Sequence, residues 1–153
     1  MTVNTKYFQQ VECDAASVVQ FPQGLPGFED LRTFVCLEQP EYRPLVYLQS
    51  IEEAQVCFLT LPVGVINKDY QLQVGPEDTR VLQLAGDRAA LGVNLVGLAI
   101  LSVSRDRDTT ANLLSPVLIN VSSRIGLQVI QARSQYDWQH PLSSINSDGG
   151  PTC

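Results

Sequence analysis

The sequence predicts an all-β fold, a small antiparallel β-barrel or barrel-like sandwich of about eight strands with two short helices, and three observations predict it. Charged residues are 17% of the chain, against roughly a quarter in ordinary globular proteins, which leaves little material for long solvated helices. β-Branched and aromatic residues come in short runs separated by proline and glycine turns, with no βαβ alternation. The longest apolar run, residues 93–103, is bounded by Gly92 and by Ser104-Arg105-Asp106-Arg107-Asp108. It reads as a central strand buried on both faces.

Residues 3–8 and 17–21 are β-rich and read as the first two strands. Residues 33–37 and 45–48 are two more, separated by a segment whose Pro40 and Pro44 oppose continued pairing. Ser50-Ile51-Glu52-Glu53 fits a capping box, in which the serine and the glutamate three residues on satisfy backbone N–H groups at a helix start. That helix is short, because residues 56–61 form a strand ended by Pro62. Residues 63–68 connect to residues 70–74, whose Tyr-Gln-Leu-Gln-Val alternation predicts a strand with one wet face. Gly75-Pro76-Glu77-Asp78 opens the second helix, with Val81, Leu82, Leu84 and Ala85 as its apolar face and Gly86 as its stop. Residues 109–115 form a turn or single helical turn. Residues 117–121 and 127–132 pair antiparallel across Ser123-Arg124-Ile125-Gly126.

A chain of 153 residues suits one domain. That domain covers residues 1–142, and residues 143–153 have the composition of a disordered tail. The net charge is −6, with eleven acids and four bases in residues 1–79 and five acids and six bases in residues 80–153. This balance disfavours direct nucleic-acid binding, and the acidic N-terminal half favours a basic protein partner. No apolar run is long enough to span a bilayer. Cys13, Cys36, Cys57 and Cys153 form no C-x-x-C pair and have no histidine nearby, which argues against a zinc site or a redox motif and for reduced thiols in the cytoplasm.

The stretch most strongly defined is Phe21-Pro22-Gln23-Gly24-Leu25-Pro26-Gly27-Phe28, followed by Glu29 and Asp30. Its prolines and glycines fix the backbone at four points. We expect a rigid loop with Phe21, Leu25 and Phe28 folded on a core and Glu29 and Asp30 exposed, and a rigid loop loses little entropy when it binds a partner. Catalysis has little to stand on. His140 is the one histidine, no serine has a G-x-S-x-G context, and no phosphate-binding glycine motif occurs. A hydrolase or thiol enzyme would have to use His140 or Cys57.

Several segments together resemble the flagellar assembly factor FliW family: Asn4-Thr5-Lys6-Tyr7-Phe8, the Phe21 to Glu29 loop, Leu48-Gln49-Ser50, Thr110-Ala111-Asn112-Leu113-Leu114-Ser115-Pro116-Val117-Leu118-Ile119-Asn120, and Gln128-Val129-Ile130. Gln9 stands where that family often has glycine, and Leu61-Pro62 where an Asp-Pro often follows. The resemblance implies a small β-barrel-like protein without enzymatic activity, and the residue patterns give no reason to expect a cofactor or metal. It further implies binding to the RNA-binding translational regulator CsrA, whose repression of flagellin synthesis it relieves, and binding to flagellin before export. Phe21, Pro22, Leu25, Pro26, Gly27, Phe28, Glu29, Asp30, Asn112 and Pro116 are the candidate partner-binding residues. The other reading is a small barrel that holds a low-molecular-weight ligand in an apolar cavity at its mouth.

Overall fold

The computed structural model describes residues 1–84, 88–132 and 135–142. The expected tail, with Cys153, and the Ala85-Gly86 end of the second helix lie outside the described residues. Strands β1 (Thr2–Asn4) and β2 (Gln10–Glu12) form an antiparallel hairpin, so the strand expected over residues 3–8 ends early. Thr5 ends it. Its hydroxyl donates to the Gln9 carbonyl (2.9 Å) and accepts from the Phe8 N–H (2.8 Å), closing a turn in which Gln9 adopts φ 60°. That left-handed backbone is the reason a glycine suits this position.

The main sheet runs through β3 (Val18–Gln20), β4 (Thr33–Leu37), β5 (Val46–Ser50), β6 (Cys57–Pro62) and β7 (Leu95–Ser102). Past β8 (Thr110–Ala111) the chain adds β9 (Val117–Asn120) and β10 (Gly126–Gln128), and β11 (His140–Pro141) pairs with β8. The order is β10-β9-β7-β6-β5-β4-β3, with every neighbouring pair antiparallel. The sheet curls until its ends meet at one point, where Gln20 bridges Ile125 and the Gln20 N–H donates to the Arg124 carbonyl (2.9 Å). No continuous ladder closes it, and the result is the barrel-like sandwich that the sequence predicts.

Side-chain alternation explains why both faces are covered. In β9, Val117 and Ile119 point into a cluster with Val19, Phe21, Leu25, Phe34, Leu48 and Leu98, whereas Leu118 points the other way, to Leu82, Leu84, Leu95, Leu127 and Val129. In β7, Leu98 and Ala99 divide in the same manner between the first cluster and a third one containing Val63, Ile66, Ala111 and Leu113. The expected central strand is thus packed on both sides, although Val96 near its start stays 38% exposed.

The two α-helices among the described residues are α1 (Val63–Ile66) and α2 (Pro76–Val81). The second is where the sequence puts it, with Leu82 and Leu84 buried just beyond. The first is not. Ser50 ends β5, and residues 51–55 form a turn in which only half of the capping box exists: the Ser50 hydroxyl accepts the Glu53 N–H (3.0 Å). Residues 70–74 correct a further expectation. They alternate in burial but pair with no strand, because side chains take the place of a ladder. The Gln71 N–H donates to the Tyr136 hydroxyl (2.6 Å), and Gln73 exchanges two hydrogen bonds with the buried Gln131 carboxamide (2.8 and 3.1 Å).

Candidate functional site

The loop between β3 and β4 hangs from two buried side chains. Phe21 and Leu25 are 0% and 1% exposed, and the Phe21 ring meets Phe34 edge-on at 5.2 Å. The ring also lies against Gly126, where an added Cβ would be 2.5 Å from it. Between these anchors the chain turns on itself. The Gly24 N–H donates to the Phe21 carbonyl (2.9 Å), Phe28 N–H to Leu25 (2.7 Å), and Leu31 N–H to Phe28 (3.1 Å). Gly24 and Gly27 take φ 64° and 85°, a region open to glycine at no steric cost.

Two charged residues brace the loop from outside. The exposed Arg32 guanidinium donates to the carbonyls of Pro22 and Glu29 (both 2.8 Å), tying the start of the loop to its end. Glu52, on the β5–β6 turn, accepts the N–H groups of Arg32 (2.6 Å) and Thr33 (2.9 Å) and the Thr33 hydroxyl (3.0 Å). Those backbone donors hold its carboxyl below the usual range. Its brace is therefore complete at neutral pH and is lost only as pH falls through that lowered value. Neither residue was among those singled out by sequence. Glu52 read as part of a helix cap, and Arg32 carried only the weak signal of being a lone base among acids.

Pro22, Pro26, Gly27, Phe28, Glu29 and Asp30 are exposed and share this one loop. Phe28, expected on the core with Phe21 and Leu25, is instead 38% exposed, because its ring lies edge-on to Phe58 at 5.2 Å outside the buried cluster. Glu29 is partly engaged, since its carboxylate accepts the Gly27 N–H (2.7 Å), whereas no hydrogen bond or ion pair involves the Asp30 side chain among the described residues. Asn112 and Pro116 do not join the exposed group. The Asn112 carboxamide accepts the Ser115 N–H (2.9 Å) within its own turn, and Pro116 is buried.

The groups that an enzyme would need are placed differently. Among the described residues no three His, Cys, Asp or Glu side chains gather to hold a metal ion. His140 sits half-buried on β11, opposite Ala111. Burial pushes the thiols of Cys36 and Cys57 up to about 11, so both stay protonated at neutral pH, the reverse of an activated nucleophile. Iodoacetamide at pH 8 is expected to alkylate Cys36 and Cys57 in the folded chain about a hundredfold more slowly than an ordinary exposed thiol, two pK units corresponding to that factor in thiolate. Peptide mass mapping over time checks this. The interior of the curled sheet is filled by the Phe21 and Phe34 cluster, and no helix among the described residues is long and apolar enough to cross a membrane.

Known proteins are similar to this chain in sequence and in fold. The family profile described as FliW protein matches residues 2–142. A flagellar assembly factor FliW from Clostridium botulinum (strain Langeland) is 34% identical over 143 residues, covering 93% of this chain and 96% of the relative. One from Syntrophotalea carbinolica is 34% identical over 145 residues, covering 92% and 96%. The crystal structure of a flagellar assembly factor FliW superposes with a TM-score of 0.81 at 32% identity, covering 93% of this chain and 96% of that one. With sequence and fold agreeing over nearly the whole length, the chain belongs to the FliW family.

Proposed function

We propose that this chain is a cytoplasmic flagellar assembly factor with no catalytic activity of its own, which binds CsrA through the exposed end of the β3–β4 loop and also binds flagellin. Binding of either partner weakens the other, so that accumulating flagellin returns CsrA to its messenger. The relatives' names support the flagellar role. The observation that carries the surface assignment is the loop itself: Phe28, Glu29 and Asp30 are held out by buried anchors and backbone hydrogen bonds. A loop already ordered loses little freedom on docking. Its acids, with the other acids of residues 1–79, match the positive charge that a protein needs to hold RNA phosphates. Phe21 and Leu25 enter as anchors, and Asn112 and Pro116 as supports of their own turn.

Asp30→Lys tests the assignment without disturbing the loop, because the Asp30 side chain makes no hydrogen bond or ion pair among the described residues. Glu29 is less suitable, since its carboxylate holds the Gly27 N–H. Calorimetric titration of purified CsrA into the Asp30→Lys chain is expected to show at least tenfold weaker binding, about 1.4 kcal/mol, with the thermal midpoint unchanged. Equal affinity of the variant and the original chain would remove this loop from the interface.

A further inference from the structure

We propose that the depression at the start of β7 is a second docking groove, one that takes an apolar peptide segment carrying a carboxylate. It encloses about 520 Å³. The fold makes it by stopping one strand short: the β6–β7 register ends at Pro62↔Leu98, the chain peels off into α1, and residues 95–97 of β7 run on without β6 beside them. Leu91 and Val63 close over Gly97, where an added Cβ would lie 2.8 and 3.3 Å from their side chains, and form an apolar floor. At Gly64 and Gly92 an added Cβ would meet no atom within 4 Å, so the walls are bare backbone open to a visitor. Val96, one of the lining residues, is 38% exposed.

Charge selects the occupant. Lys68 is the one ionisable cation among the lining residues, no acid lines the groove, and the exposed ammonium has no ion pair or hydrogen bond among the described residues. An ammonium beside an apolar floor is complemented by a carboxylate on an apolar segment. A second copy of this chain fits less well, because two bodies of charge −6 repel. One cation is also too few to neutralise a polyphosphate. Leu95 and Val63 of the lining belong to clusters other than the Phe21 cluster that anchors the acidic loop. None of the loop residues 21–30 lines it, so it is a surface distinct from the loop.

The test is a ¹⁵N nuclear magnetic resonance titration of the full chain with an acetylated, amidated hexapeptide of alternating leucine and glutamate. The leucine–lysine counterpart and decanoate serve as comparisons. The glutamate peptide is expected to shift the amides of Gly64, Gly92 and Gly97 and to bind at least fivefold more tightly than the lysine peptide. Gly64→Phe, which fills the groove at an unobstructed position, should abolish the shifts while leaving the rest of the spectrum in place. Lys68→Glu, an exposed change that does not threaten folding, should reverse the preference between the two peptides. Shifts elsewhere or none, equal binding of both peptides, or decanoate binding as tightly as the glutamate peptide would overturn the proposal.

Discussion

Replacing Phe21 by alanine is expected to lower the unfolding free energy by about 3–5 kcal/mol and to weaken CsrA binding with it. The ring is fully buried, packs edge-on against Phe34, and presses on Gly126 at the point where the two ends of the sheet meet. Its loss opens a cavity in the main cluster and releases the first anchor of the loop at the same time. Urea unfolding of the variant measures the first effect, and titration with CsrA at a temperature where the variant is still folded measures the second. A loss below about 1 kcal/mol would mean that Phe21 only covers the sheet end and does not support it.

Gly24→Ala acts on the loop by a different route. Gly24 has φ 64°, a left-handed conformation that costs an ordinary residue about 1–2 kcal/mol. Its added methyl group would also lie 2.6 Å from the Cα and carbonyl oxygen of Glu29. Those are backbone atoms, so Glu29 and Asp30 themselves must move. We expect a stability loss of about 2 kcal/mol, read as a thermal midpoint lower by about 4–8 °C, and at least tenfold weaker CsrA binding. Gly27→Ala is the informative control. It carries the same kind of strain at φ 85° but meets no atom within 4 Å, so it should lose less stability than Gly24→Ala.

How much of this could be read from the sequence follows from where each interaction comes from. The Phe21 to Asp30 loop was legible because prolines, glycines and spaced phenylalanines encode their own geometry locally. The strands at residues 33–37 and 117–120 were legible from their composition, and residues 95–102 from an apolar run with polar stops. Residues 70–74 show the limit. Their alternation truly reflects burial, but whether a strand or a pair of side chains such as Tyr136 and Gln131 answers the backbone is decided some sixty positions away. Ser50-x-x-Glu53 misled because a serine can accept an N–H three residues on in a tight turn as well as in a helix. The helix at Val63–Ile66 gave no local sign, since valine and glycine are weak helix formers. It exists because Val63 and Ile66 are buried against Ala99, Ala111 and Leu113. In the candidate site, the exposed loop was visible and its braces were not, because Glu52 reaches Arg32 and Thr33 from another strand end.

The central claim is that this chain works as a stiff binding surface on which two partners exclude one another by a coupling that must be reciprocal. It is tested most directly by measuring the affinity of the purified chain for CsrA with and without saturating flagellin. The account predicts that flagellin weakens CsrA binding at least tenfold and that CsrA weakens flagellin binding by the same factor. An affinity for CsrA that flagellin leaves unchanged, with all three proteins recovered in one complex, would contradict it.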